Sequence, residues 1–174
     1  MLQAAEEDRR PITLLYVYSW DVVRALFALL AAVASFGGAV MVGSRQVEIP
    51  LWQQLLYATS AASYGAALFV IGVLLPRRAA WVRRAQITVF SLSAGLALVS
   101  LLLQVVTDVR ALEAAAVILN LVFVALYALG IVAMTLRSAV DYFRGPGATP
   151  RYLIVLVGYW CCVQAALTVL HLGS

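Results

Sequence analysis

Residues 77–84, Arg77-Arg78-Ala79-Ala80-Trp81-Val82-Arg83-Arg84, carry four arginines and separate two long apolar runs. This pattern is typical of the turn of a membrane hairpin, because arginine is costly in hydrocarbon and enriched on the cytoplasmic side of membranes. We expect this stretch, called the arginine turn below, to lie at the cytoplasmic surface and to fix the orientation of the helices on both sides of it. A secondary attraction for anionic lipid headgroups is also expected there.

The composition of the chain indicates an integral membrane protein. Apolar residues make up 64% of the 174 residues and charged residues 11%, against about 45–50% and about 25% in soluble domains. A soluble globule this apolar would expose large apolar patches, so the lipid bilayer is the expected main partner. The net charge of +4 comes from arginines that flank apolar runs, which argues against nucleic-acid binding. The lack of lysine and the abundance of Ala, Leu and Val suggest a bacterial inner membrane.

The apolar runs predict an all-α fold, a compact bundle of five transmembrane helices. Residues 12–42 are compatible with helix throughout and would extend roughly 46 Å, which exceeds a hydrocarbon core of about 30 Å. We therefore divide this run at Asp21 and Arg24 and predict an interfacial helix over residues 12–23. The predicted spans are residues 25–43, 51–75, 85–107, 112–136 and 152–172, and residues 137–143 are expected to continue the fourth helix into the interface.

The distribution of arginine predicts a cytoplasmic N-terminus and an extracytoplasmic C-terminus. Two arginines, Arg45 and Arg110, fall in the outer turns, and ten fall on the inner side. Residues 1–10 then form a polar cytoplasmic tail, and residues 11–174 form a single transmembrane domain. The inner arginines are Arg9, Arg10, Arg24, Arg77, Arg78, Arg83, Arg84, Arg137, Arg144 and Arg151, of which the last seven are also candidates for contact with anionic lipid.

Four amide side chains are candidates for polar contacts inside the bundle: Asn120, Gln164, Gln104 and Gln86. Such amides hydrogen-bond between helices in lipid, where they favour one helix arrangement. They also line the constrictions of channels and carriers. We favour the structural role.

Asp21 and Arg24 lie three positions apart, on one face of a helix, and form a candidate ion pair. The favoured location is the membrane interface, where an exposed ion pair contributes up to about 1 kcal/mol. If the first span begins earlier than predicted, the pair is buried instead and becomes a candidate functional site, because charges inside a membrane are costly.

No catalytic or cofactor-binding motif is present. The chain contains no GxSxG, HExxH, Walker or dinucleotide-binding sequence. The single histidine, His171, cannot supply a multi-histidine metal site or bis-histidine haem ligation. The adjacent Cys161 and Cys162 are expected to be packing residues. We therefore expect no enzymatic activity, catalytic residue, metal or cofactor.

The sequence predicts a non-catalytic multi-pass membrane protein that acts as a scaffold or accessory subunit through helix packing. Small residues at four-residue spacing support close packing, because they let helix backbones approach. The partner would be a second copy of the chain or another membrane protein. The alternative is a small oligomeric channel or carrier for a neutral or apolar solute, with the amides along its path. The clearest small-residue stripes are Ala58, Ala62 and Ala66, and Gly158, Cys162 and Ala166.

Overall fold

The computed structural model describes residues 12–42, 45–107 and 114–172, so the predicted tail over residues 1–10 lies outside the described part of the chain. The fold is built from helices, with one short β-hairpin. The elements in chain order are α1 (Ile12–Ala34), a 3-10 turn (Ser35–Gly37), β1 (Ala39–Val42), β2 (Arg45–Glu48), α2 (Leu51–Leu74), a 3-10 turn (Leu75–Arg77), α3 (Ala80–Thr107), α4 (Ala114–Thr135), α5 (Arg137–Tyr142) and α6 (Arg151–Leu172).

Five helices, α1, α2, α3, α4 and α6, are long and apolar enough to cross a membrane, which confirms the predicted number. The observed α2 and α6 agree with the predicted spans to within one residue at each end. Helix α3 begins at Ala80, five residues before the predicted span over residues 85–107. The helical backbone therefore continues through Arg83 and Arg84.

The first helix differs from the prediction. Helix α1 is continuous over Ile12–Ala34, so the interfacial helix over residues 12–23 and the span over residues 25–43 are not separate elements. Its length of roughly 35 Å already covers a hydrocarbon core of about 30 Å. The chain leaves the following 3-10 turn through Gly38, whose φ of +80° favours glycine.

A two-stranded antiparallel hairpin follows in the connection to α2. Strand β1 pairs with β2 so that Ala39 lies opposite Glu48 and Val42 opposite Arg45. The predicted helix is therefore wrong over Ala39–Val42, where the backbone is extended, and residue 43 lies outside the described part of the chain.

The fourth predicted helix also ends early. Leu136 has an extended ψ of 145°, which separates α4 from the short helix α5. The predicted continuation of one helix over residues 137–143 is therefore wrong. Asp141 still accepts a hydrogen bond from Arg144, and this ion pair lies on the exposed surface.

The long helices pack as a ring in the order α1, α2, α6, α3, α4, with α4 returning to α1. The most extensive contacts are those of α1 with α2, α3 with α4, and α2 with α6. The fully buried core side chains include Val17, Leu68, Phe90, Met134 and Leu153. Much of this core lies toward the end of the bundle that carries the arginine turn.

Only part of the small-residue stripes predicted from sequence lies at contacts between helices. On α2, Ala58 is buried while Ala62 and Ala66 are exposed, and the close approach to α1 occurs at Gly65. A Cβ at Gly65 would lie 3.4 Å from the Cβ of Ala28. On α6 the whole predicted stripe is exposed, and the buried face carries larger side chains such as Trp160 and Leu167.

Two backbone hydrogen bonds fasten the arginine turn to the loop between α5 and α6. The Gly145 amide donates to the Arg78 carbonyl at 2.9 Å, and the Ala80 amide donates to the Gly145 carbonyl at 3.0 Å. The arginine turn and segment 137–151 therefore lie at the same end of the bundle. Arg83 donates to the Met134 carbonyl at 3.3 Å. The exposed arginines at this end are Arg77, Arg78, Arg84, Arg137, Arg144 and Arg151.

Candidate functional site: a buried polar cluster

Asp21 and Arg24 form an ion pair inside the bundle. Their exposed fractions are 2% and 4%, and the Asp21 Oδ1 to Arg24 Nη1 distance is 3.2 Å. Because α1 begins at Ile12, the two residues lie roughly 14 and 18 Å along a helix of roughly 35 Å. An exposed ion pair was favoured from sequence, whereas the structure buries both side chains. The pair occupies the middle of α1.

Gln86 of α3 also binds the Asp21 carboxylate. Its Nε2 donates to Asp21 Oδ1 at 2.8 Å and to Oδ2 at 2.7 Å, and the side chain is fully buried. The amide oxygen of Gln86 is buried as well, and no donor among the described residues lies within hydrogen-bonding distance of it. Both carboxylate oxygens of Asp21 thus accept hydrogen bonds from the protein, whereas Oε1 of Gln86 accepts none from the described residues.

The Arg24 guanidinium contacts both α2 and α3. Its Nε donates to the Tyr64 hydroxyl at 2.9 Å, and its Nη2 donates to the same hydroxyl and to Ser93 Oγ at 3.3 Å. The Tyr64 and Ser93 hydroxyls are 3.0 Å apart. Since the Tyr64 oxygen accepts from Arg24, its own proton can be donated to Ser93. We call Asp21, Arg24, Tyr64, Gln86 and Ser93 the polar cluster.

Aromatic rings enclose the guanidinium. Its Cζ lies 4.7 Å from the ring centroid of Phe90, 5.2 Å from that of Tyr127 and 5.3 Å from that of Tyr64. Such cation–π contacts are worth roughly 2 kcal/mol or more when the cation is desolvated. Trp160 of α6 stacks on Tyr64 with centroids 4.3 Å apart, so all five long helices contribute to the site.

A glycine on α4 makes room for one of these rings. A Cβ at Gly130 would lie 2.6 Å from Cζ of Phe90, closer than carbon atoms approach in proteins. The absence of a side chain at this position therefore lets the Phe90 ring lie between α4 and Arg24.

The two charges of Asp21 and Arg24 cancel, and the Arg24 guanidinium has several hydrogen-bond acceptors within the protein. A charged side chain at the centre of a membrane helix costs about 2.5–3.5 kcal/mol. Here four donor contacts of the guanidinium are made within the protein, out of the five N–H groups that arginine carries. The hydrogen bonds of the polar cluster join three helices, α1, α2 and α3.

Two of the amides predicted from sequence make hydrogen bonds between helices. Gln86 joins α3 to α1, whereas Gln164 joins α6 to α2 through a hydrogen bond from its Nε2 to Ser60 Oγ at 3.1 Å. Asn120 is half-buried on α4. The side chain of Gln104 lies outside the described part of the structure. Gln86 and Gln164 therefore join different pairs of helices.

The described residues contain no group of three His, Cys, Asp or Glu side chains that could hold a metal ion. Cys161 is half-buried and Cys162 exposed, and both are free thiols. The side chain of His171 lies outside the described part of the chain.

Sequence reasoning assigned several members of the site no role in it, because their partners are distant in sequence. One signal was available: each has a polar or aromatic side chain close to the middle of its helix. These residues are Tyr64, Phe90, Ser93, Tyr127 and Trp160.

A lateral groove beside the polar cluster runs between α1 and the second half of α2. Its volume is about 920 Å³, and its wall is mainly apolar. Asp21 forms part of that wall, and Pro76 and Tyr142 lie at one end. On α1 it extends from Ile12 to Leu29, roughly 25 Å along the helix axis.

Comparisons with protein-family models, with curated proteins and with solved structures found no match to this chain.

Proposed function

We propose that this chain is a non-catalytic multi-pass membrane protein that serves as a scaffold or accessory subunit of a membrane assembly. The observation that carries the proposal is that the charged atoms of Asp21 and Arg24 have hydrogen-bond partners within the protein. Both carboxylate oxygens of Asp21 accept hydrogen bonds from the protein, and each guanidinium nitrogen of Arg24 donates one. A pair held in this way stabilises one arrangement of helices.

The exposed surface fits the same proposal. Helix α1 carries exposed apolar side chains along its whole length, from Ile12 at 83% to Val33 at 73%. In a membrane these side chains can face lipid or the helices of a partner. Lipid tails are as apolar as the side chains, so neither contact is disfavoured by the hydrophobic effect. A rigid bundle with such faces is suited to packing beside another membrane protein.

The proposed location is a bacterial inner membrane, with the arginine turn on the cytoplasmic side. The continuous helix α1 removes Arg24 from the charge balance, so nine arginines lie on the proposed inner side and two on the outer side. This bias still follows the positive-inside rule. A phosphatase or fluorescent reporter fused after Ser174 should report an extracytoplasmic C-terminus, and a cytoplasmic signal would contradict the orientation.

The scaffold proposal is tested by gentle solubilisation of cells that express the full chain with an affinity tag. A membrane protein should copurify at a fixed ratio, and its amount in the membrane should fall when the gene for this chain is deleted. Purification of the chain alone, together with unchanged membrane composition after deletion, would contradict the proposal.

A second candidate function is a carrier for a neutral or apolar solute. The groove between α1 and α2 favours it, because a volume of about 920 Å³ is in the range of small-molecule sites and Asp21 lies in the wall. Solute uptake by vesicles that contain the purified chain alone would support the carrier. That uptake should be lost in Gly72→Leu, which places a side chain in the groove.

A further inference from the structure

We propose that the groove between α1 and α2 binds one acyl chain of an anionic phospholipid whose phosphate lies on Arg77 and Arg78. This inference does not depend on the scaffold function. It combines two features that meet at one end of the bundle, an apolar groove and a pair of exposed guanidinium groups.

The groove has the surface and the length that an acyl chain requires. Its wall includes Leu15, Leu26 and Phe69, which are 64%, 56% and 69% exposed. The groove is therefore accessible from the outer surface of the bundle. Its length of roughly 25 Å exceeds half of a hydrocarbon core of about 30 Å. A lipid of the leaflet next to the arginine turn can therefore place a whole chain along it.

A glycine provides part of the space. Gly72 lies in the groove wall, and a Cβ there would be 3.8 Å from Cε2 of Tyr18, an ordinary contact distance. A larger side chain at this position can leave the α2 backbone undisturbed and still fill the groove.

The charged end of the groove selects the headgroup. Pro76 and Tyr142 line this end, Arg77 follows Pro76 directly, and the Arg78 Cζ lies 5.0 Å from the Tyr142 ring centroid. Guanidinium groups bind phosphate through paired hydrogen bonds. A zwitterionic headgroup adds an ammonium group that opposes this attraction, so an anionic phospholipid is the expected class.

The polar part of the groove does not favour a cationic ligand. Asp21 is 2% exposed, and its oxygens already accept hydrogen bonds from Arg24 and Gln86. The wall at this height therefore presents a neutral ion pair covered by apolar atoms, which suits hydrocarbon.

Native mass spectrometry of the full chain in mild detergent tests the proposal, with phosphatidylglycerol and phosphatidylcholine of identical acyl chains as probes. We expect one phosphatidylglycerol per chain to be retained, and phosphatidylcholine to be retained on the order of tenfold less. A chain that retains both lipids equally would overturn the assignment of the headgroup to the arginines.

Two pairs of variants separate the groove from the charge. Gly72→Leu should lose retained lipid of both types, whereas Gly158→Leu should not, because nothing lies within 4 Å of a Cβ at Gly158. Arg77→Gln combined with Arg78→Gln should reduce phosphatidylglycerol to the level of phosphatidylcholine. The matched double variant Arg84→Gln and Arg151→Gln removes the same charge at the same end and should retain wild-type selectivity.

Circular dichroism and unfolding midpoints of each variant establish that the fold is intact. The arginine variants are at exposed positions, so they report on the headgroup even if Gly72→Leu is unstable. Equal lipid retention by Gly72→Leu and Gly158→Leu would overturn the proposal, and so would a dimer of the chain that replaces the lipid-bound monomer in the spectrum.

Discussion

Gln86 lies with its Nε2 between the two carboxylate oxygens of Asp21, at 2.8 and 2.7 Å, and so joins α3 to the middle of α1. The Arg24 guanidinium also contacts Oδ1 of this carboxylate, at 3.2 Å. Asp21 therefore binds both a neutral amide and a cation, and both partners are buried. The stability of the bundle should depend on all three side chains together, and their contributions can be separated by substitution.

Removal of one charge of the ion pair should be far more costly than removal of both. Asp21→Asn or Arg24→Gln leaves the other charge buried without its counter-ion, which we expect to lower the free energy of unfolding by about 3–5 kcal/mol. The double variant restores neutrality and should lose much less than the sum. Unfolding in mixed micelles with increasing denaturing detergent measures all three. Additive losses, with a coupling energy near zero, would show that the two charges act independently.

The Gln86 amide should contribute more than the other amide contact between helices. Gln86→Leu removes a hydrogen-bond donor to a charged group, worth about 1.5–3 kcal/mol. Gln164→Leu removes one neutral hydrogen bond to Ser60, a type that averages about 0.6 kcal/mol in membrane bundles. The same unfolding assay compares the two variants. A larger loss in Gln164→Leu would contradict the central role of the Asp21 carboxylate.

The number of helices was predictable from sequence because each apolar run is long enough to cross a membrane and ends at charges or turn residues. The bounds of α2 and α6 follow from Pro50, Pro76 and Pro150, which mark the ends of their runs. The early end of α1 had a signal in Gly37-Gly38, since glycine commonly follows a helix. The charges at Asp21 and Arg24 suggested a different division of the run.

The polar cluster was not predictable, because the groups that stabilise the two charges come from other helices. Tyr64 is 40 residues from Arg24, and Ser93 is 69 residues away. A local sequence pattern shows that burial of a charge would be costly. It does not show the contacts from other helices that offset this cost. Prediction from a single sequence therefore places such a pair at the membrane surface.

Gly130 should be intolerant of even one added carbon. A Cβ there would lie 2.6 Å from the Phe90 ring, which is fully buried beneath Arg24 and cannot move away freely. We expect Gly130→Ala to lower the free energy of unfolding by about 1–3 kcal/mol, the usual cost of overpacking.

Gly95→Ala on α3 is the control, because nothing lies within 4 Å of a Cβ at that position. Alanine is favoured over glycine within helices by about 0.5–1 kcal/mol, so this variant should be neutral or slightly stabilising. If Gly130→Ala behaves like Gly95→Ala, the close approach of α4 to Phe90 is not maintained in the folded protein.

Arg78 has a left-handed backbone, with φ +54° and ψ +16°, at the end of the 3-10 turn after α2. A side chain in this conformation costs roughly 1 kcal/mol that glycine avoids. Arg78→Gly and Arg78→Ala both remove the guanidinium and its contact with the Tyr142 ring, but Arg78→Ala keeps the unfavourable Cβ. We expect Arg78→Gly to be more stable than Arg78→Ala by about 1 kcal/mol.

The order should reverse at Arg84, an exposed residue in the first turns of α3, where Arg84→Ala should be more stable than Arg84→Gly by about 0.8–1 kcal/mol. The same order of stability at the two positions would contradict the left-handed conformation of Arg78.

Lipid retention should depend on the charge and not on the backbone conformation. Both Arg78 variants should lose phosphatidylglycerol to the same extent, and both Arg84 variants should keep it. A difference in lipid retention between Arg78→Gly and Arg78→Ala would show that the shape of the turn, and not its guanidinium, holds the headgroup.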